Sequence, residues 1–251
     1  MLIETQRLIL RDWHPTQDAR HAMDIFGDSR VMGPIDSRKD DSIRQVQGRL
    51  QRYRDKAQKE EDGTRSWAVE QKEIGRVIGH VILTALPDIR QVRLQQAANL
   101  PVADYVEHEM EHEVEHEAAY DSEHEQADAV QPVSTTNPDG MPTDYIEIGW
   151  HFRPASWGFG YATEAAFSVA QYAFETLKLP VLLAVSAPEN QLSVAVMNSI
   201  GMQCNGITTR YYRGAELMLY ELSPDAFFET KARWDSDRLF LEALNKIEQQ
   251  A

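Results

Sequence analysis

The stretch WGFGYATEA, Trp157 to Ala165, decides how this chain is read. It follows the short apolar run YIEIGWHF, residues 145–152, and leads into AFSVAQYAFETL, residues 166–177. A strand, a glycine turn and a helix in that order make an anion site. Gly158 and Gly160 lack a Cβ, so the backbone can turn tightly and approach a ligand closely. The first N–H groups of the following helix point outward with the positive end of its dipole, and a phosphate or pyrophosphate is the natural guest. A GxG at a loop-to-helix junction is equally compatible with a plain turn, so the motif needs company.

Four segments supply that company. They are TQRLILRDW (Thr5 to Trp13), WAVEQKEIGRVIGHVIL (Trp67 to Leu83), EIGWHFRPASWGFGYATEA (Glu147 to Ala165) and PENQLSVAVMNSIGM (Pro188 to Met202). In this order they resemble the GNAT N-acetyltransferases, above all the RimJ/RimL-type branch with its WGKGYATEA and N-x-x-S-x-x-v signatures. The resemblance implies an α/β (α+β) fold, a mixed, mostly antiparallel twisted sheet flanked by helices. It places an acetyltransferase domain over residues 1–222, an acidic insertion over 87–143 between strands 3 and 4, and a helical extension over 223–251. It also implies an acetyl-CoA donor, a primary amine acceptor (a protein N-terminus or a small molecule) and no metal requirement. Two departures stand out: Ala155 replaces the Gln or Arg of the general Q/R-x-x-G-x-G/A motif, and Met202 replaces the usual Phe.

Composition narrows the classes further. A length of 251 residues and 42% apolar content suffice for a buried core. No run of about 18 apolar residues appears and the N-terminus alternates with charges, which leads to the expectation of a cytoplasmic protein with no membrane partner. The single cysteine, Cys204, excludes an intramolecular disulfide and reads as a small buried apolar residue.

The formal charge of −15 is mostly local. Residues 87–143 hold thirteen acids against Arg90 and Arg93, and the remainder is nearly balanced. Without clustered Lys and Arg, nucleic-acid binding is disfavoured. Within VEHEMEHEVEHEAAYDSEHE lie His108, His112, His116 and His124. On a helix the first three share a face and could hold a divalent metal; on a strand they share a face opposite the glutamates. A solvated acidic arm, free or docked on a basic partner, remains open beside them.

Elsewhere the pattern predicts a strand over the N-terminal apolar residues to Trp13 and a helix from Pro15 to Gly27 with Thr16 as N-cap. A second helix follows, from about Ser37 or Asp40 to Glu60, and then a hairpin turning near Lys72 and Glu73, with His80 on its less buried face. Downstream come a helix over about 160–177, a buried strand over 181–187 and a helix capped by Asn190. A closing strand pair around Arg213-Gly214 and a last amphipathic helix from Ser223, able to mediate a homodimer, complete the reading.

Amide formation from an amine and a thioester needs a neutral amine, close positioning, a polarised carbonyl and a proton for the departing thiolate. By resemblance, Glu147 is the base and Ser193 lies near the thiolate. Trp150, His151 and Phe152 contact the pantetheine arm through their backbones, beside Asn190. Trp157, Gly158, Phe159, Gly160, Tyr161, Ala162 and Thr163 form the diphosphate cradle. Tyr161, Tyr211 and Tyr212 compete with Ser193 as proton donors. The rival to an enzyme is a degenerate acyl-CoA-binding protein whose acidic arm docks a basic partner.

Overall fold

The computed structural model describes residues 1–32, 39–59, 63–86 and 145–248, with backbone only at 213 and 237–248. The acidic stretch with its four histidines lies outside the described residues.

Eight strands form one sheet in the order β1-β2-β3-β4-β5-β6-β8-β7. They are β1 (Ile3–Glu4), β2 (Leu8–Arg11), β3 (Arg65–Gln71), β4 (Arg76–Ala85), β5 (Ile146–Phe152), β6 (Leu182–Ser186), β7 (Gln203–Thr208) and β8 (Leu217–Leu222). Every pairing is antiparallel except β5 with β6, which is parallel. The N-terminal apolar stretch is two short strands rather than one, because the chain reverses at Thr5–Arg7 and pairs Ile3 with Leu10. The undescribed 87–144 connection therefore joins the fourth strand to the fifth, not the third to the fourth.

Helices α1 (Pro15–Phe26), α2 (Ser29–Met32) and α3 (Ile43–Lys59) accompany the first half of the sheet. Trp13, Ala22, Phe26, Val46 and Leu50 pack there with Ala68 and Val77 of the strands. The opposite face carries α4 (Tyr161–Glu175), α5 (Gln191–Ser199) and α6 (Pro224–Glu248). Ala165, Ala166, Val169, Ala170 and Ala173 of α4 bury fully there against Trp67, Val81 and Ile148. Small residues let the α4 backbone lie close to the strands, and burying large neighbours such as Leu8 or Trp67 is worth about 1.5–3 kcal/mol each. Phe227 of α6 is fully buried in the same core, and Trp234 stacks on Phe167 at 4.4 Å.

Thr16 does not cap α1. The N-cap residue is His14, with Pro15 in the first turn, where its missing N–H is no loss. The buried carboxylate of Asp18 reaches back to accept from the His14 N–H at 2.8 Å, and Arg11 holds it with two bonds of 2.8 and 2.9 Å. Cys204 is exposed on the edge strand β7, not buried. Among the described residues no helix is long and apolar enough to cross a membrane.

Candidate active site

The site begins where β5 and β6 part. The two strands share a single paired position, Glu147 with Leu183, while β4 stays paired with β5 along its whole length from Ile146 to Phe152. Backbone bonds at both ends of the β4–β5 ladder, Leu86 N–H to Tyr145 C=O and Arg153 N–H to Ile78 C=O, fix its phase. In an antiparallel ladder that phase alternates. The N–H and C=O of residues 147, 149 and 151 therefore turn toward β4, and those of 148, 150 and 152 turn toward the gap. His151 thus offers the gap no backbone group, unlike Trp150 and Phe152. The Phe152 carbonyl accepts from Trp157 Nε1 at 2.7 Å, which ties the end of β5 to the following turn. Gly79 on β4 makes room for the Phe152 ring: a Cβ there would meet it at 2.3 Å.

The turn that follows has the shape of an anion cradle. Gly158 and Gly160 adopt φ of +80° and +76°, left-handed values that L side chains rarely take, and Gly160 is the N-cap residue of α4. The first helical bond runs from Glu164 N–H to Gly160 C=O at 3.0 Å, so the N–H groups of Tyr161, Ala162 and Thr163 have no partner within the helix. The bend is open: Gly158, Gly160 and Phe159 are exposed, the last by 60%. Arg153 braces the approach through Nε–H to Ser156 Oγ at 2.9 Å.

Glu147 is 5% exposed, and burial pushes its carboxyl up to about 7 against a partial counter-effect from a Tyr212 hydrogen bond. The Tyr212 hydroxyl donates to Glu147 Oε2 at 2.6 Å. Tyr212 itself sits at φ +45°, an unfavourable conformation for a bulky residue, at the start of a single helical turn between β7 and β8. Strain of this kind gathers where surrounding structure holds a residue to a task.

Of the three tyrosines that compete on paper, the fold joins Tyr212 to Glu147. Tyr211 is buried among Leu183, Val185 and Leu217, and the Tyr161 hydroxyl accepts from Gln71 Nε2 at 2.9 Å beside the cradle. Asn190 caps α5, its Oδ1 accepting from the Ser193 N–H at 3.2 Å. Both residues follow the end of β6, on the far wall of the gap from Glu147, and Ser193 is half-buried.

A second polar group on the α1–α3 face escaped sequence reasoning. His80 is 1% exposed, not on the less buried face. It pairs across the ladder with His151, and the two rings stack at 5.6 Å within a box of Trp13, Phe26 and Tyr53. Trp13 Nε1 can only donate, to Ser66 Oγ at 3.3 Å. The Ser66 hydroxyl is then free to donate to His80 Nε2 at 2.6 Å, and His80 Nδ1–H to His151 Nδ1 at 3.4 Å. This assigned order leaves a proton on His151 Nε2. Burial holds His80 well below the ordinary histidine range, helped by His151 and Arg49, and brings His151 down to about 4, helped by Arg49. Both rings are neutral at pH 7.

The fold as a whole superposes on a set of solved acetyltransferases. An acetyltransferase (GNAT family) from Bacillus anthracis superposes with a TM-score of 0.56 at 20% identity, over 89% of this chain and 98% of that one. A GCN5-related N-acetyltransferase from Brucella melitensis gives 0.56 at 16% identity, over 92% and 84%. This chain has the GNAT fold. The family model described as an acetyltransferase (GNAT) domain matches residues 92–203, which takes in β5, the glycine bend and α5 of the GNAT fold. Among curated proteins, an uncharacterized N-acetyltransferase of Bacillus subtilis, YnaD, is 43% identical over 60 residues, 24% of this chain and 35% of its own length. The FsC-acetyl coenzyme A-N(2)-transacetylase of Aspergillus fumigatus is 42% identical over 72 residues, 28% of this chain and 31% of its own length. The chain thus spans about a third of the length of the curated relatives it matches.

Proposed function

We propose that this protein is an N-acetyltransferase of the RimJ/RimL type, moving acetyl from acetyl-CoA to a primary amine by direct attack. The observation that carries the reading is Glu147: a carboxyl raised to about 7 at the one point where the sheet opens. Maintaining an ionisable group there costs stability, and a protein that merely bound an acyl carrier would have no use for it. That favours an enzyme over a degenerate binder.

In this reading the CoA diphosphate rests on the N–H groups of residues 158–163, and the pantetheine arm runs into the gap beside the gap-facing backbone groups of Trp150 and the Phe152 N–H. The acceptor, a protein N-terminus or a small amine, approaches across the face that carries Glu147. Glu147 takes a proton from the ammonium, directly or through water, and the neutral nitrogen attacks the thioester carbonyl carbon. The C–N bond forms as the C–S bond breaks, the thiolate takes a proton from Ser193 or a water it holds, across the gap, and that donor is restored by the second proton the nitrogen sheds on becoming an amide. Tyr212 holds Glu147 in place and keeps its pKa from rising further. No step requires a metal.

The test is CoA release from acetyl-CoA over a panel of peptide and small amines. We expect amine-dependent release in the wild type and a loss of roughly 10²–10⁴-fold in kcat for Glu147→Gln, the range for a positioned base. Unchanged turnover in that variant across pH would discard the base role. CoA binding with no acceptor giving turnover would discard the enzyme.

A further inference from the structure

The chain reversal between β1 and β2 reaches across the sheet to the glycine bend. Three donors from it converge on the Glu164 carboxylate in the first turn of α4: Thr5 Oγ1–H at 2.6 Å, the Arg7 N–H at 2.9 Å and Arg7 Nε–H at 2.6 Å. The same guanidinium donates Nη1–H to the Phe159 carbonyl at 2.9 Å and lies 4.6 Å from the centre of the Tyr161 ring. Its Nη2 is 3.5 Å from the position a Cβ would take on Gly160. Tyr161 in turn stacks on Phe159 at 5.9 Å. Arg7 therefore touches or borders Phe159, Gly160, Tyr161 and Glu164, four residues of the bend and its helix.

The bend needs such a neighbour. From Pro154 to Ala165 it contains no cation, Ala155 stands at its start, and Glu164 puts a negative charge beside any bound diphosphate. Main-chain N–H groups and the helix dipole supply only a partial positive charge. An arginine brought from another strand offsets Glu164 and leaves Nη2 at the edge of Gly160, with 44% of the side chain open to solvent.

We propose that Arg7 is a positioning residue for the diphosphate of the acyl carrier. It fixes the Phe159–Tyr161 backbone in its receiving shape and cancels the Glu164 charge, so that the β1–β2 turn supplies the cation that the loop itself lacks. The proposal rests on the CoA reading above.

The test is calorimetric titration of the full chain with CoA and with pantetheine, which lacks the diphosphate, on wild type, Arg7→Lys, Arg7→Gln, Glu164→Gln and Arg7→Gln/Glu164→Gln. Arg7→Gln should weaken CoA roughly 10–100-fold, the effect of losing one or two charge-assisted contacts, and leave pantetheine within about 2-fold. Arg7→Lys should recover part of the loss. The double variant should bind CoA several-fold better than Arg7→Gln alone, because the uncovered carboxylate is gone, and Glu164→Gln should bind at least as well as wild type. Equal weakening of both ligands would mean a displaced site and overturn the proposal, as would full CoA affinity in Arg7→Gln. A wild type with no preference for CoA over pantetheine would instead overturn the diphosphate reading itself.

Discussion

Replacing Tyr212 with Phe should move the pH dependence of turnover without changing its ceiling. The Tyr212 hydroxyl donates to Glu147 at 2.6 Å and opposes the upward push of burial. A hydrogen bond to a charged group is worth about 1.5–3 kcal/mol, and the lower end applies because Tyr212 is 37% exposed and water competes for its hydroxyl. At 1.36 kcal/mol per pKa unit, about 1.5 kcal/mol is about one unit. The Glu147 carboxyl then titrates near 8 rather than about 7, and its ionised fraction at pH 7 falls from about a half to about a tenth. The expected result is roughly a 5-fold loss of kcat/KM at pH 7 that disappears above about pH 9. The assay is thiol release from acetyl-CoA at limiting amine from about pH 5.5 to 10, corrected for the known titration of the amine. An equal loss at every pH, with the acid limb unmoved, would refute the argument and make Tyr212 the proton donor to the thiolate.

Two further outcomes follow from the same geometry. Gly160→Ala forces a side chain into a left-handed conformation at a cost of about 1–2 kcal/mol, although the nearest atom, Arg7 Nη2 at 3.5 Å, leaves room for the methyl. CoA affinity should fall about 5–30-fold, and an unchanged Kd would show that the bend does not hold the carrier. Acid stability should depend on the histidine pair: both rings have depressed pKa values in the fold, so the unfolded chain binds more protons as pH drops below 6.5. His151 alone should cost about 3 kcal/mol between pH 6.5 and about 4, and urea melts should show that slope lessened in His151→Phe. Glu147 acts in the opposite sense, since its raised pKa loses stability as pH climbs from about 4.5 to about 7. Because the two slopes oppose each other in the wild type, the comparison between wild type and variant decides: an acid-range slope left unchanged by His151→Phe would contradict the burial of a neutral ring.

What could be read from the chain was local. The alternation of Ile146, Ile148 and Trp150, the left-handed glycines 158 and 160, the alanine-rich face of α4 and the Asn190 cap all announce themselves within a few residues. What escaped depends on contacts between distant segments. His80 looked half exposed because a register shift opposite Val69 and Glu70 breaks the two-residue alternation of β4, and because its lid comes from α1 and α3. The Tyr212–Glu147 bond spans 65 residues and the Arg7–Glu164 pair 157, and no short-range pattern encodes either. The start of α1 at Pro15 was legible, but its cap was misassigned to Thr16 for a related reason: Asp18 reaches back to the His14 N–H from inside the helix, with Arg11 of β2 behind it.

A crystal structure with CoA bound tests the central claim most directly. Diphosphate oxygens within about 3 Å of the N–H groups of residues 158–163, with the thiol in the β5–β6 gap on the side of Glu147, are the predicted result. Density for the diphosphate anywhere else on the protein, or a chain that takes up no CoA at millimolar concentration, would contradict it.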